Sequence, residues 1–169
     1  MADVKILDTI VPEPDSFYVM DRGYVDFERL FVFHDAGAFF VTRTKKGIKL
    51  RRRYSHPVDA STGVRSDQTV VLASKSASKN YPDPLRLIHS YDVEHDCHIR
   101  LLTNNFDLPA LTICLLYKSR WQVELFFESL TWCTPLDVHE IARIICAESV
   151  IGGAAGCFLR LTHRSTSDW

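Results

Sequence analysis

Neither sign of charge is in excess in this chain: 20 lysines and arginines stand against 21 aspartates and glutamates, a formal net charge of −1. That balance excludes a globally basic surface, so affinity for a polyanion would have to come from a local patch. Cysteine is sparse. Cys97, Cys114, Cys133, Cys146 and Cys157 are odd in number, widely spaced and contain no Cys-x-x-Cys pair, which argues against a disulfide framework or a zinc site and for a reducing cytosol. The N-terminus mixes Asp3, Lys5 and Asp8 among its apolar residues and so lacks the continuous apolar core of a signal peptide. The longest nearly apolar run, Val150 to Leu159, is far shorter than the ~20 residues that cross a bilayer, so no membrane association is expected. A Gly-rich phosphate loop is absent, as are internal repeats and low-complexity segments.

What is present is enough for one ordinary core: 169 residues, 46% hydrophobic and 24% charged. After the turn-prone Pro12-Glu13-Pro14-Asp15, the run Ser16 to Met20 is β-branched and aromatic and stops at Asp21-Arg22-Gly23, the pattern of a short buried strand. Tyr24, Phe27, Leu30 and Phe31 recur at spacings of 3 and 4, predicting a helix over 24–33. Strands are predicted at Ala38 to Thr42, Gln68 to Leu72, Leu85 to Tyr91 and His98 to Leu102. A long helix is then predicted from Leu108 to about Leu130, with Pro109 in its first turn. Beyond Glu128 the character changes, and Asp137 with Glu140 suggests a helix start running through Ile141, Ile144 and Ile145.

On the long helix, Tyr117, Arg120 and Glu124 stand at i, i+3 and i+7, within about 60° of one another around the axis. A phenol and a guanidinium suit a phosphodiester, and a carboxylate suits a divalent cation beside it, so this face reads as one edge of a metal-dependent nucleic-acid site. The bland reading is an Arg120–Glu124 surface pair beside a half-buried tyrosine. Asp21, at the end of a buried strand, lies where open α/β sheets place ligands; alternatively it caps the following helix. Asp15, Asp26, Asp35 and Glu128 are further acids, but none is convincingly placed to complete the set. Arg43, Lys45, Lys46, Lys49, Arg51, Arg52 and Arg53 form a run without an acid, either a solvated strand or loop or, as we prefer, a phosphate-binding tract. His95 and His98 would point to opposite faces of a strand, which disfavours a metal site there.

Tyr117, Arg120 and Glu124 match the Tyr, two residues, Arg, three residues, Glu, six residues, Lys signature of insertion-sequence transposases of the DDE superfamily. The chain resembles their IS-four-like group in particular. Tyr18 to Phe27 resembles the segment carrying that group's second aspartate, and the likeness covers roughly Ala2 to Phe127. The resemblance implies an α/β fold with a ribonuclease-H-like core and a β-rich insertion, about 43–104. It implies Mg2+ held by carboxylates, with Asp21 and Glu124 as catalytic metal ligands. Tyr117 and Arg120 would hold DNA phosphate. The expected partners are mobile-element ends and further transposase copies, in the bacterial cytoplasm at the nucleoid. Thr131 stands where the signature has lysine, and only 20 residues precede Asp21, whereas the family's first aspartate lies well upstream. The expectation is therefore a partial catalytic domain over 1–127, with its first strands and first aspartate missing and a divergent, frame-shifted tail over 128–169. Such a fragment would be catalytically incomplete alone. The competing expectations are a non-catalytic DNA-binding remnant that inhibits full-length transposase, and a decayed reading frame.

Overall fold

In a computed structural model of the chain, residues 4–92, 96–129 and 159–162 are described, with Ile6, 121–129 and 159–162 described as backbone only. Strands β1 (Ser16–Met20), β2 (Phe39–Arg43), β3 (Leu50–His56), β4 (Val64–Leu72), β5 (Leu85–Asp92), β6 (Cys97–Thr103) and β7 (Leu159–Thr162) form one sheet in the order β3-β4-β5-β6-β2-β1-β7. Only β1 and β2 pair in parallel; the other pairings are antiparallel, so the sheet is mixed. Helices α1 (Phe27–Asp35), α2 (Lys75–Asn80) and α3 (Ala110–Ser129) complete the mixed α/β architecture.

β1 is buried along its whole length because both of its faces are covered. Strand residues alternate between faces, and here the alternation divides two cores. Tyr18 and Met20 join Leu30 and Phe33 of α1 on one side, whereas Phe17 and Val19 join Ile113, Cys114 and Tyr117 of α3 on the other. A strand covered on both faces reads as an unbroken apolar run, which is why Ser16 to Met20 was recognisable. β1 and β2 enclose α1 as a crossover, the connection that parallel neighbours require.

The helix expected over 24–33 begins later. Residues Arg22–Tyr24 form a 3-10 turn, and α1 starts after Asp26, whose carboxylate accepts from the Arg29 amide at 3.2 Å. Capping chemistry thus overrides the apolar spacing that had included Tyr24. Three of these strands and helices went unforeseen: β3, β7 and the short polar α2. β4 also extends to Val64, across an irregularity between Val64 and Ser66. On the side away from β2, β1 is paired by β7, which runs antiparallel to it. The helix expected from Asp137, the Thr131 position and most of the 128–169 tail lie outside the described residues.

Candidate active-site corner

Asp21 continues β1 with extended backbone, φ −74 and ψ 161. Extending the alternation of Phe17 and Val19 carries it to the α3 side of the sheet. Val41 of the neighbouring parallel strand also faces α3, and two residues on Arg43 ends that strand. The two carboxyl ends are tied together by the Thr42 hydroxyl, which donates to the Asp21 carbonyl at 3.3 Å. Asp21 is half-buried, and its side chain makes no capping hydrogen bond to the turn it precedes. The capping role falls to Asp26.

The rotation of α3 is set by what its residues bury. Ile113, Cys114 and Tyr117 recur at 1, 3 and 4 residues and enter the core, while Lys118 donates from Nζ to the buried Asp92 of β5 at 2.9 Å. The start of the helix is fixed by Arg86 of β5. Its guanidinium binds Asp67 of β4 through two contacts of 2.9 and 2.7 Å and donates to the Asn105 and Leu108 carbonyls at 3.3 and 2.6 Å. Asn105 Oδ1 in turn accepts from the Leu108 amide at 2.9 Å. Sequence patterning had not identified this buried polar network, because Asp67 and Arg86 are distant in sequence and each lies in an otherwise ordinary strand.

With α3 so held, Tyr117 is 2% exposed and Arg120 6%. Arg120 is therefore not a surface residue, and Tyr117 is fully rather than half buried. The Arg120 guanidinium carbon lies over the Tyr117 ring, 5.7 Å from its centroid. Among the described residues, the Tyr117 hydroxyl has no hydrogen-bond partner. Burial pushes its pKa up, Arg120 pulls it down, Asp21 pushes it up again, and Arg43 lowers it slightly. Asp21, Arg43 and Arg120 thus all lie within electrostatic reach of one phenol. Arg43, counted in sequence only with the basic run, belongs at this corner; the signal was its place in the alternation Phe39, Val41, Arg43.

Glu124 lies on the α3 backbone two turns past Tyr117 on the same stripe; its side chain is outside the described residues. Among the described residues no three His, Cys, Asp or Glu side chains gather to hold a metal. Asp21 is the acid placed here, and its oxygen donors suit Mg2+ in kind.

The basic run is not one patch. Lys45 donates from Nζ to the Val25 carbonyl at 3.0 Å, beside the loop that follows Asp21, and Lys46 and Lys49 are exposed on the connection to β3. Arg51, Arg52 and Arg53 lie exposed on β3, which is separated from β2 by β4, β5 and β6 in the sheet. No helix among the described residues is long and apolar enough to cross a membrane.

The comparisons with known proteins bear on the sequence that builds this corner. The family model described as the transposase DDE domain covers residues 2–133. A Sinorhizobium fredii protein named as a transposase, y4zB, is 42% identical over 129 residues, covering 74% of this chain and 36% of that protein. A Geobacillus stearothermophilus protein named as a transposase for insertion sequence element IS5377 is 33% identical over 114 residues, covering 64% of this chain and 29% of that protein. The chain thus spans about a third of the length of these curated relatives. No solved structure gives a significant match. An aspartate held at the carboxyl end of a buried strand, against a helix bearing tyrosine and arginine, accordingly falls within a matched region that covers most of the sequence, and the chain belongs to the transposase DDE domain family.

Proposed function

We propose that this chain acts on the DNA ends of an insertion-sequence element, within the IS-four-like group, and that its sheet is a partial ribonuclease-H-like core with β3 to β6 as the insertion. The observation that carries this reading is Asp21. It stands at the carboxyl end of β1 on the α3 side, without a capping bond and within electrostatic reach of Tyr117. In this reading Asp21 and Glu124 are the carboxylates that hold Mg2+, which when bound would help a water attack a phosphodiester and would neutralise charge in the transition state. Arg43 and Arg120 offset the charge of the DNA strand at the corner. Tyr117, its pKa raised by burial, stays a neutral phenol at physiological pH and supplies a wall and a hydroxyl rather than a charge.

One carboxylate does not make a two-metal site, so cutting requires Glu124 and a further acid beyond the described set. The test is nicking of supercoiled plasmid with and without Mg2+. The expected result is DNA binding without nicking by the chain alone. Nicking abolished by Asp21→Asn and Glu124→Gln would keep both residues and refute the incompleteness. Nicking indifferent to both would remove them from the site. The second reading is a DNA-binding remnant that competes with complete transposase, in keeping with a chain that spans about a third of its curated relatives. It predicts that added chain slows a complete relative's strand cleavage.

A further inference from the structure

β3 is an outer strand of the sheet, paired only with β4 among the described residues, and three arginines in succession stand on it. Charged side chains on an edge strand commonly serve to prevent edge-to-edge aggregation. That explanation accounts for their exposure but not for where two of them lead. Arg51 and Arg53 line a concavity of about 450 Å3, together with Lys75 and Ser78 of α2 and with Val71 and Leu72 at the end of β4. Arg52 is not part of its lining. The concavity therefore draws cations from two elements, one of them, Lys75, distant in sequence from the basic run.

Among the described residues no acid lines this concavity. Among the described residues, none of Arg51, Arg53 and Lys75 forms an ion pair, whereas Arg29, Arg86 and Lys118 each do. Three cations lining one hollow, with no ion-pair partner among the described residues, repel one another unless an anion sits between them. Guanidiniums present forked donors suited to phosphate oxygens, and the Ser78 hydroxyl adds a neutral donor. A second copy of this chain is a poor occupant, since antiparallel pairing of two β3 edges would bring arginine against arginine.

We propose that the hollow formed by Arg51, Arg53, Lys75 and Ser78 seats the phosphodiester backbone of DNA, as an anchoring point separate from the Asp21 corner. It rests on the DNA-acting reading above and adds to it a second, non-catalytic contact on β3, which three strands separate from β2 in the sheet. Arg51 and Arg53 take phosphate oxygens, Lys75 supplies a point charge from the facing helix, and the contact reads no base sequence.

The test is fluorescence anisotropy of the full chain with a labelled duplex across a salt series. Each phosphate contact contributes about 0.9 to the slope of log affinity against log salt. The triple variant Arg51→Gln, Arg53→Gln, Lys75→Gln should therefore flatten that slope by about 2–3. Arg65→Gln, at the far end of β4, is the control for each single loss of charge in the hollow and should leave the slope unchanged, while Arg51→Lys with Arg53→Lys should retain most of it. Circular dichroism and thermal melting verify that the variants remain folded; if the triple variant melts out, the single Lys75→Gln, on a solvent-exposed helix position, carries the test with an expected change of about 0.9. Equal losses from Arg65→Gln and from each pocket variant would show diffuse attraction and overturn the hollow while leaving DNA binding intact. If inorganic phosphate binds in the hollow but the triple variant leaves DNA affinity unaltered, the site belongs to a small free anion and the proposal fails. No duplex binding by the unmodified chain at low salt would instead refute the DNA-acting reading itself.

Discussion

Arg120 and Arg51 are the same residue type in two very different places. Arg120 is 6% exposed, on a helix pressed against the sheet and over an aromatic ring; Arg51 is exposed on an outer strand and lines a hollow with no acid among its described lining residues. At the corner, charge is built into the core and its surroundings are protein. At the edge, charge is held in solvent and its counter-ion has to come from outside. Core charges should therefore dominate stability and edge charges should dominate binding, and this separation can be broken by measurement.

The largest expected effect is at Arg86. Its guanidinium is buried against Asp67, which is 4% exposed, so Arg86→Ala strands a buried carboxylate and leaves the Asn105 and Leu108 carbonyls short of a donor. Such a break costs about 3–5 kcal/mol, read as a lower urea midpoint. Arg51→Ala should move the midpoint by no more than about 0.5 kcal/mol, as for ordinary surface substitutions. A comparable loss at both positions would end the distinction between core and edge charge. Replacing both Arg86 and Asp67 by Met and Leu should recover much of the single-variant loss, because no buried charge is then left alone.

The parts of the fold that sequence revealed are those where one physical cause dominated. β1 was visible because burial on both faces demands an unbroken apolar run, and the Tyr117, Arg120 and Glu124 stripe because helical period is fixed. β3 was hidden because Leu50 to His56 carries three arginines in a row, which read equally as strand or loop until β4 pairs with them. α2 is six residues of mostly polar sequence with no apolar stripe. Period also says which residues share a face but not how deeply that face is buried, so the depth of Tyr117 and Arg120 had no sequence signal. The split of the basic run follows from β2 being central and β3 peripheral, a matter of strand order that spacing along the chain does not encode.

An intermediate effect separates the two aspartates that sequence offered for similar roles. Asp26 accepts the Arg29 amide and pairs with its guanidinium at 3.1 Å, so Asp26→Ala should cost about 1 kcal/mol as a lost N-cap. Asp21 makes no capping bond, so Asp21→Asn should cost distinctly less in the same chemical denaturation. Equal costs would return Asp21 to a structural role and weaken its assignment to the corner.

The smallest effect carries the opposite sign. A buried hydroxyl without a partner sits in the folded state at a desolvation cost, so Tyr117→Phe should leave stability unchanged or raise it by up to about 1 kcal/mol. A loss larger than that would mean that the hydroxyl is bonded by a group beyond the described side chains. The pH dependence sharpens the point. Tyr117 has a folded pKa above its ordinary value of 10.0, so above about pH 10 the unfolded chain releases this proton first and stability falls as pH rises. Tyr117→Phe should make that alkaline decline shallower without abolishing it, because burial also raises Tyr18 and Tyr81. Asp21→Asn removes a negative charge that opposes phenolate formation, and should lower the Tyr117 pKa in an ultraviolet titration that uses Tyr117→Phe to identify the signal. An unshifted phenol would place Asp21 out of electrostatic reach of Tyr117 and take it out of the corner, leaving β1 and α3 joined by the apolar packing of Phe17 and Val19 alone.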